Sequence, residues 1–262
     1  MYLYGECDLS IVIPCYNEAR RLPRTLARTF AYLAARPGHH EVIVISDGST
    51  DSTIEETTQA FRQLPENVQG KWFEYAPNEG KGKAVRIGMR QASGKRILFM
   101  DADYSVPLED LTRAEALLDQ GYDVAIGSRA IEDTKIVEHQ SFLRERVAKV
   151  FGFIQRNYLG LKLKDTQCGF KLFTRESARK IFGEVKLTSV IFDGEALWLA
   201  KRMKYKVAEF PVEWTHDPDT RLSYNFARSI KVFRDMMSIP MIHIAQNKKA
   251  LQQVKLKMTV LG

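Results

Sequence analysis

An alternation running from Leu9 to Ile126 leaves this chain few architectures. Short apolar runs at Leu9–Pro14, Glu41–Ile45, Lys71–Tyr75, Ile97–Met100 and Asp123–Ile126 are separated by polar loops and by stretches of helical spacing. Those stretches run from Ala19 to about Ala35, onward from Ser52, up to about Ala92, and from Pro107 to Asp119. Strands that alternate with helices are joined by crossovers, so their sheet is mainly parallel and carries helices on both faces. The pattern predicts an α/β, Rossmann-like nucleotide-binding fold with a mainly parallel central sheet and flanking helices. Ligands of such sheets lie beyond the carboxyl ends of the strands, so chemistry is expected in the loop after each strand.

The loop after Ile97–Met100 carries the strongest signal, Asp101-Ala102-Asp103. Two carboxylates one residue apart at a strand end call for a cation, and hard oxygens suit Mg²⁺ or Mn²⁺ shared with a diphosphate. Alone, the tripeptide also fits a solvated turn; three earlier loops strengthen the metal reading. Pro14-Cys15-Tyr16-Asn17-Glu18 follows the first strand. Ser46-Asp47-Gly48-Ser49-Thr50-Asp51 follows the second, with Asp51 or Ser52 able to cap the next helix. Asp47 is placed for ribose or base, or else is a turn residue beside Gly48. Pro77-Asn78-Glu79-Gly80-Lys81-Gly82-Lys83 opens a helix whose free N–H groups suit an anion, or is a glycine-rich turn with solvated lysines. It lacks the P-loop spacing, which disfavours an ATPase of that class.

Beyond Ala130, residues 131–141 are polar, and 142–164 read as a basic amphipathic helix carrying Arg144, Arg146, Lys149, Arg156, Lys162 and Lys164. Asp165–Phe173 is a loop entering a strand, and Thr174 caps a helix to about Phe182. Ile191 opens another helix, to about Met203, with Asp193 and Glu195 in its first turn, where the helix dipole by itself accounts for acids. A strand at Val207–Val212 leads into the polar loop Trp214–Ser223, in which His216 reads as a surface histidine. The expected division is a main domain over 1–223 and an amphipathic helix with a basic tail over 224–262. In the latter, Phe226, Ile230, Phe233 and Met237 recur at helical spacing, and Lys248, Lys249, Lys255 and Lys257 follow. Basic charge beside apolar surface suits an anionic membrane surface.

Composition narrows the class. With 45% hydrophobic and 27% charged residues over 262 positions, the chain has material for a large core. Cys7, Cys15 and Cys168, with no Cys-x-x-Cys, predict reduced thiols rather than a disulfide framework or a zinc site. No run approaches the roughly 18 to 20 apolar residues of a membrane span. Met1–Asp8 has no signal-peptide character, so a cytoplasmic protein is expected. The net charge of +7 fits an anionic partner without choosing among nucleic acid, a phosphorylated substrate and a membrane. A nucleic-acid-binding module would leave the acid pair unexplained and lacks interleaved exposed aromatics, so nucleic acid is not expected as a partner.

In order and spacing, Pro14–Glu18, Asp47–Asp51, Asn78–Gly82 and Asp101–Asp103 resemble glycosyltransferase family 2, which has the GT-A fold; the resemblance covers about residues 8–235. Asp165–Phe173, with Phe192-Asp193-x-Glu195, is most similar to the dolichyl-phosphate β-glucosyltransferase branch among the polyprenyl-phosphate sugar synthases. The resemblance implies an inverting, metal-dependent hexosyltransferase. It would move a sugar from a nucleotide-sugar donor, UDP-glucose first, to a polyprenyl or dolichyl phosphate; the basic amphipathic segment over 224–262, rather than the resemblance, leads to the expectation of a peripheral protein on the cytoplasmic membrane face. GDP-mannose or UDP-GlcNAc as donor, or a soluble saccharide as acceptor, are the alternatives within the family. By position, the resemblance puts Pro14, Tyr16, Glu18, Asp47, Lys81, Asp101 and Ala102 around the donor, and Asp101 and Asp103 on Mg²⁺ or Mn²⁺. Arg129, with Arg144 or Arg146, falls on the acceptor phosphate, and Asp193, with Asp103, on the catalytic step. Where mannosyl members carry a glutamine two residues beyond the second acid, this chain has Ser105. A phosphate acceptor is anionic near neutral pH, so Asp193 would orient more than deprotonate; a hydroxyl acceptor would need it as a base.

Overall fold

Continuous apolar runs, rather than alternating ones, belong to strands buried on both faces, and here they make the middle of a single sheet. The computed structural model describes residues 6–132, 134–136, 142–215 and 230–244. The strands are β1 (Leu9–Cys15), β2 (His40–Asp47), β3 (Val68–Tyr75), β4 (Arg96–Met100), β5 (Val124–Ser128), β6 (Lys135–Ile136), β7 (Phe170–Thr174), β8 (Val207–Pro211) and β9 (Glu213–Trp214). Seven of them form one sheet in the order β3-β2-β1-β4-β7-β5-β8, while β6 and β9 pair as a small parallel ribbon. The large sheet is mainly parallel, as expected, with one reversal: β7 runs antiparallel to both β4 and β5. β1 and β2 are buried along their whole lengths.

The helices are α1 (Leu22–Ala34), α2 (Thr53–Ala60), α3 (Lys81–Gln91), α4 (Leu111–Asp119), α5 (Phe142–Leu159), α6 (Arg175–Glu184) and α7 (Phe192–Arg202). α1 starts later than its apolar spacing implied, because Asn17 takes a left-handed φ of 54° and Pro23 sits in the first helical turn. α2 is capped from Asp51, whose Oδ1 accepts the Thr53 N–H at 3.1 Å. Thr174 caps α6 as expected, accepting from the Ser177 N–H at 3.2 Å. The helix expected over 142–164 stops at Leu159. Gly160 turns left-handed at φ 62°, its N–H bonds to the Asn157 carbonyl, and the Leu161 N–H returns to Arg156 at 2.8 Å.

By contacts the chain divides into a unit over Met1–Arg221 and another over Leu222–Gly262. In the second unit residues 230–244 are helical, with Met236 and Ile239 buried and Ile230, Phe233, Met241 and Ile244 exposed. Phe226 and the tail lysines lie outside the described residues. Among the described residues no helix is long and apolar enough to cross a membrane.

Candidate active site

The carboxyl ends of β1, β2 and β4 fall side by side, which brings three of the sequence motifs together. Pro14 is buried at the end of β1, and Tyr16 stands beyond it, 44% exposed. Asn17 staples this loop to the next: its Oδ1 accepts the Thr50 N–H at 2.7 Å, and its own N–H reaches Ser49 Oγ at 3.0 Å. Glu18 gives both carboxylate oxygens to the Arg21 guanidinium. Asp47 is buried and faces the third loop. It accepts from the Glu79 N–H and the Gly80 N–H, each at 2.8 Å, and from Asn78 Nδ2 at 2.9 Å. These bonds account for its carboxylate by shaping the loop that carries Lys81. The N-terminus of α3 is likewise in use, since the Gly82 N–H donates to the Thr188 carbonyl at 2.8 Å.

Asp101 and Asp103 follow β4. The Asp101 N–H donates to the Gly169 carbonyl at 3.0 Å, and a Cβ on Gly169 would come within 2.0 Å of Asp101 Oδ2; the carboxylate therefore needs glycine there. Lys81 Nζ lies 2.6 Å from Asp101 Oδ1, an ion pair, yet that oxygen is sealed from solvent and accepts no well-directed hydrogen bond. Asp103 Oδ1 accepts the Ser105 N–H at 3.0 Å. Burial and the neighbouring Asp101 charge push the Asp103 carboxyl above its ordinary range. Two carboxylates one residue apart offer the hard oxygen donors that Mg²⁺ or Mn²⁺ takes, so these residues fit such an ion. Among the described residues no third His, Cys, Asp or Glu completes a cluster. Ala102 serves differently: its carbonyl accepts Thr25 Oγ1 at 2.6 Å, and its side chain joins the core, tying the acid loop to α1.

The two acids at the start of α7 have separate partners. Glu195 accepts the N–H groups of Lys186 and Leu187 at 2.9 and 2.8 Å, bracing the segment that meets α3 through Thr188. Asp193, 3% exposed, receives Lys171 Nζ on Oδ1 at 2.5 Å. The same ammonium donates to the Cys168 carbonyl at 2.5 Å and lies 5.7 Å from the Phe99 ring centroid, with Lys81 Nζ 5.2 Å from that centroid. Burial holds the Asp193 carboxyl above its ordinary range, the Lys171 and Lys81 charges offsetting only part of the rise. Sequence reasoning passed over Lys171. Its signal was a lone cation inside the run Phe170–Phe173.

Arg129, just past β5, is held by Asp165: Nε and Nη2 reach the two carboxylate oxygens at 2.7 and 3.1 Å, and the Arg129 N–H donates as well at 3.1 Å. The guanidinium also lies over the Trp214 ring at 5.5 Å. Burial alone would raise the Asp165 carboxyl, but the Arg129 charge and hydrogen bonds outweigh it and hold it at about 2. Arg144 and Arg146 fall on the backbone of α5, and their side chains lie outside the described residues, as does His216. Cys15 and Cys168 are buried free thiols, and burial pushes Cys168 up to about 12.

The family model for glycosyl transferase family 2 matches residues 10–182, which take in every loop just described except the start of α7. The chain belongs to glycosyl transferase family 2. This family 2 enzyme is 36% identical over 243 residues to a dolichyl-phosphate beta-glucosyltransferase of Drosophila melanogaster, covering 88% of this chain and 74% of the relative. It is 33% identical over 228 residues to the Homo sapiens protein of that name, covering 82% and 69%. Among solved structures it resembles glucosyl-3-phosphoglycerate synthase from Mycobacterium tuberculosis in complex with Mn²⁺, UDP-glucose and phosphoglyceric acid. That match has a TM-score of 0.62 at 16% identity, over 89% of this chain and 79% of the other. The likeness establishes the shared GT-A-type fold.

Proposed function

We propose that this glycosyltransferase moves glucose from UDP-glucose to dolichyl phosphate with inversion at the anomeric carbon. The observation that carries the reading is the strand-end acid pair: Asp101, ion-paired to Lys81, and Asp103 one residue on. Two relatives at 36% and 33% identity bear the name dolichyl-phosphate beta-glucosyltransferase, which supports glucose and the lipid phosphate. Asp101 and Asp103 would hold Mg²⁺ or Mn²⁺, which supplies positive charge beside the departing diphosphate. Lys81 adds a fixed cation on the same side. Tyr16 offers an exposed ring to the base, and the loops built by Asn17, Glu18 and Asp47 set the nucleotide's position. An acceptor phosphate oxygen forms the new bond to the anomeric carbon while the bond to the diphosphate oxygen breaks and its electron pair leaves with UDP. Because that oxygen is already anionic, Asp193 orients the sugar or acceptor rather than taking a proton. Arg129, with Arg144 and Arg146 on α5, supplies charge for the acceptor phosphate. The acceptor's lipid would stay in the membrane while the protein works from its cytoplasmic surface, with the helix over 230–244 and the basic tail against the leaflet.

The test is a donor panel of UDP-glucose, GDP-mannose and UDP-GlcNAc against dolichyl phosphate, with Mn²⁺, Mg²⁺ or chelator. Transfer from UDP-glucose that stops with chelator is expected; full turnover in excess chelator removes the metal assignment. Asp103→Asn should abolish transfer at an unchanged melting temperature, since it deletes a charge from a loop rather than a core contact.

A further inference from the structure

Lys171 is the most buried cation near the candidate site, 1% exposed, in a strand otherwise apolar from Phe170 to Phe173. A lysine in such a place is costly unless its charge is answered, and three groups answer it: Asp193 Oδ1, the Cys168 carbonyl and the Phe99 ring. The reversal of β7 makes this possible. Lys171 pairs in register with Phe99 of β4, next to the acid loop, and with Ile126 of β5, so it is flanked by strands on both sides. The charges facing Asp193 come from three directions: Lys171 on β7, Lys81 on α3 and Asp101 after β4.

We infer that Lys171 is a positioning residue for sugar transfer, fixing the Asp193 carboxyl in one orientation beside Lys81 and the acid pair. It is too enclosed to touch a substrate, so it acts only through Asp193. A carboxylate bonded to an ammonium at 2.5 Å has one oxygen committed and is held in one orientation. The site therefore favours an acceptor that brings its own negative oxygen. This rests on the transferase reading above and names the residue that makes a general base dispensable. The alternative is that Lys171 only fills the sheet, its pairing being a solution to burial and nothing more.

The experiment compares Lys171→Met, Lys171→Arg, Asp193→Asn and the double variant Lys171→Met/Asp193→Asn, with the melting temperature and donor affinity of each measured beside kcat and KM. Lys171→Met is expected to lower kcat about 10²-fold or more while donor KM changes about twofold at most. Lys171→Arg, which keeps the charge, should recover part of kcat. The double variant carries no unpaired buried charge and should fold even if Lys171→Met does not; its kcat should equal that of Asp193→Asn alone, because the two residues act as one unit. A further loss in the double variant beyond Asp193→Asn, or normal kcat in folded Lys171→Met, overturns the proposal. The outcomes separate from failure of the acceptor assignment: wild-type enzyme inactive on dolichyl phosphate defeats that assignment alone. The variants are then scored on whichever phosphorylated acceptor or slow donor hydrolysis the wild type supports.

Discussion

Asp47 carries a load that its place in the sequence conceals. With three N–H donors of loop 78–80 turned on one buried carboxylate, Asp47→Ala leaves them unsatisfied at a cost of about 1–3 kcal/mol. Melting temperature and donor affinity should fall together, because the same loop carries Lys81. A raised donor KM at an unchanged melting temperature would instead mean direct contact with the nucleotide. The Arg129–Asp165 pair gives a pH expectation with a definite sign. The folded Asp165 carboxyl sits at about 2, below its ordinary 3.8. Its contribution is complete above that ordinary value and disappears as pH falls through about 2. Asp165→Asn should cost about 3–5 kcal/mol at neutral pH and flatten the acid limb of the unfolding curve in that window, read by denaturant melts from pH 5 to 2. At this scale the sequence located carboxylates well and their uses poorly. Asp47, Glu18 and Asp193 were legible as acids at loop ends, but whether an oxygen faces a ligand or a backbone N–H depends on the other loops, which no local spacing records.

At the level of elements, the strand–helix alternation made β1, β2, β4 and β5 readable because both faces of each are covered and the runs are continuously apolar. The direction of β7 was not readable, since strand periodicity is the same whichever way the chain runs. Only that reversal explains why Gly169 touches the acid loop. Gly169→Ala removes no charge, yet its methyl carbon would land 2.0 Å from Asp101 Oδ2. The variant is expected to stay folded, lose most transfer activity and bind Mn²⁺ weakly by titration calorimetry; wild-type Mn²⁺ affinity would show that the acid loop has another way to relax. The end of α5 was missed for a related reason, because a glycine ends a helix by its φ and its neighbours' bonds, while the basic spacing ran on past it to Lys164.

For the whole molecule, the helix over 230–244 exposes Ile230 at 54% and Phe233 at 47%. Full-length protein should sediment with anionic liposomes, less so as salt rises, and Ile230→Ser/Phe233→Ser should weaken that binding without changing donor affinity. Absence of binding would detach the protein from the leaflet, and salt-independent binding would remove the basic charge from the account. The sheet order has one more consequence, for biosynthesis. β4 and β5 never pair with each other; β7, made more than forty residues after β5, is wedged between them. A ribosome that has released only the first 130 residues has released the acid pair and the loops after β1, β2 and β3, but β4 still ends the sheet with an open row of peptide groups and Asp101 lacks the Gly169 carbonyl that anchors its N–H. The nascent chain thus passes through an interval in which β4 is an adhesive rim, closed only when residues 169–174 arrive to fill the gap.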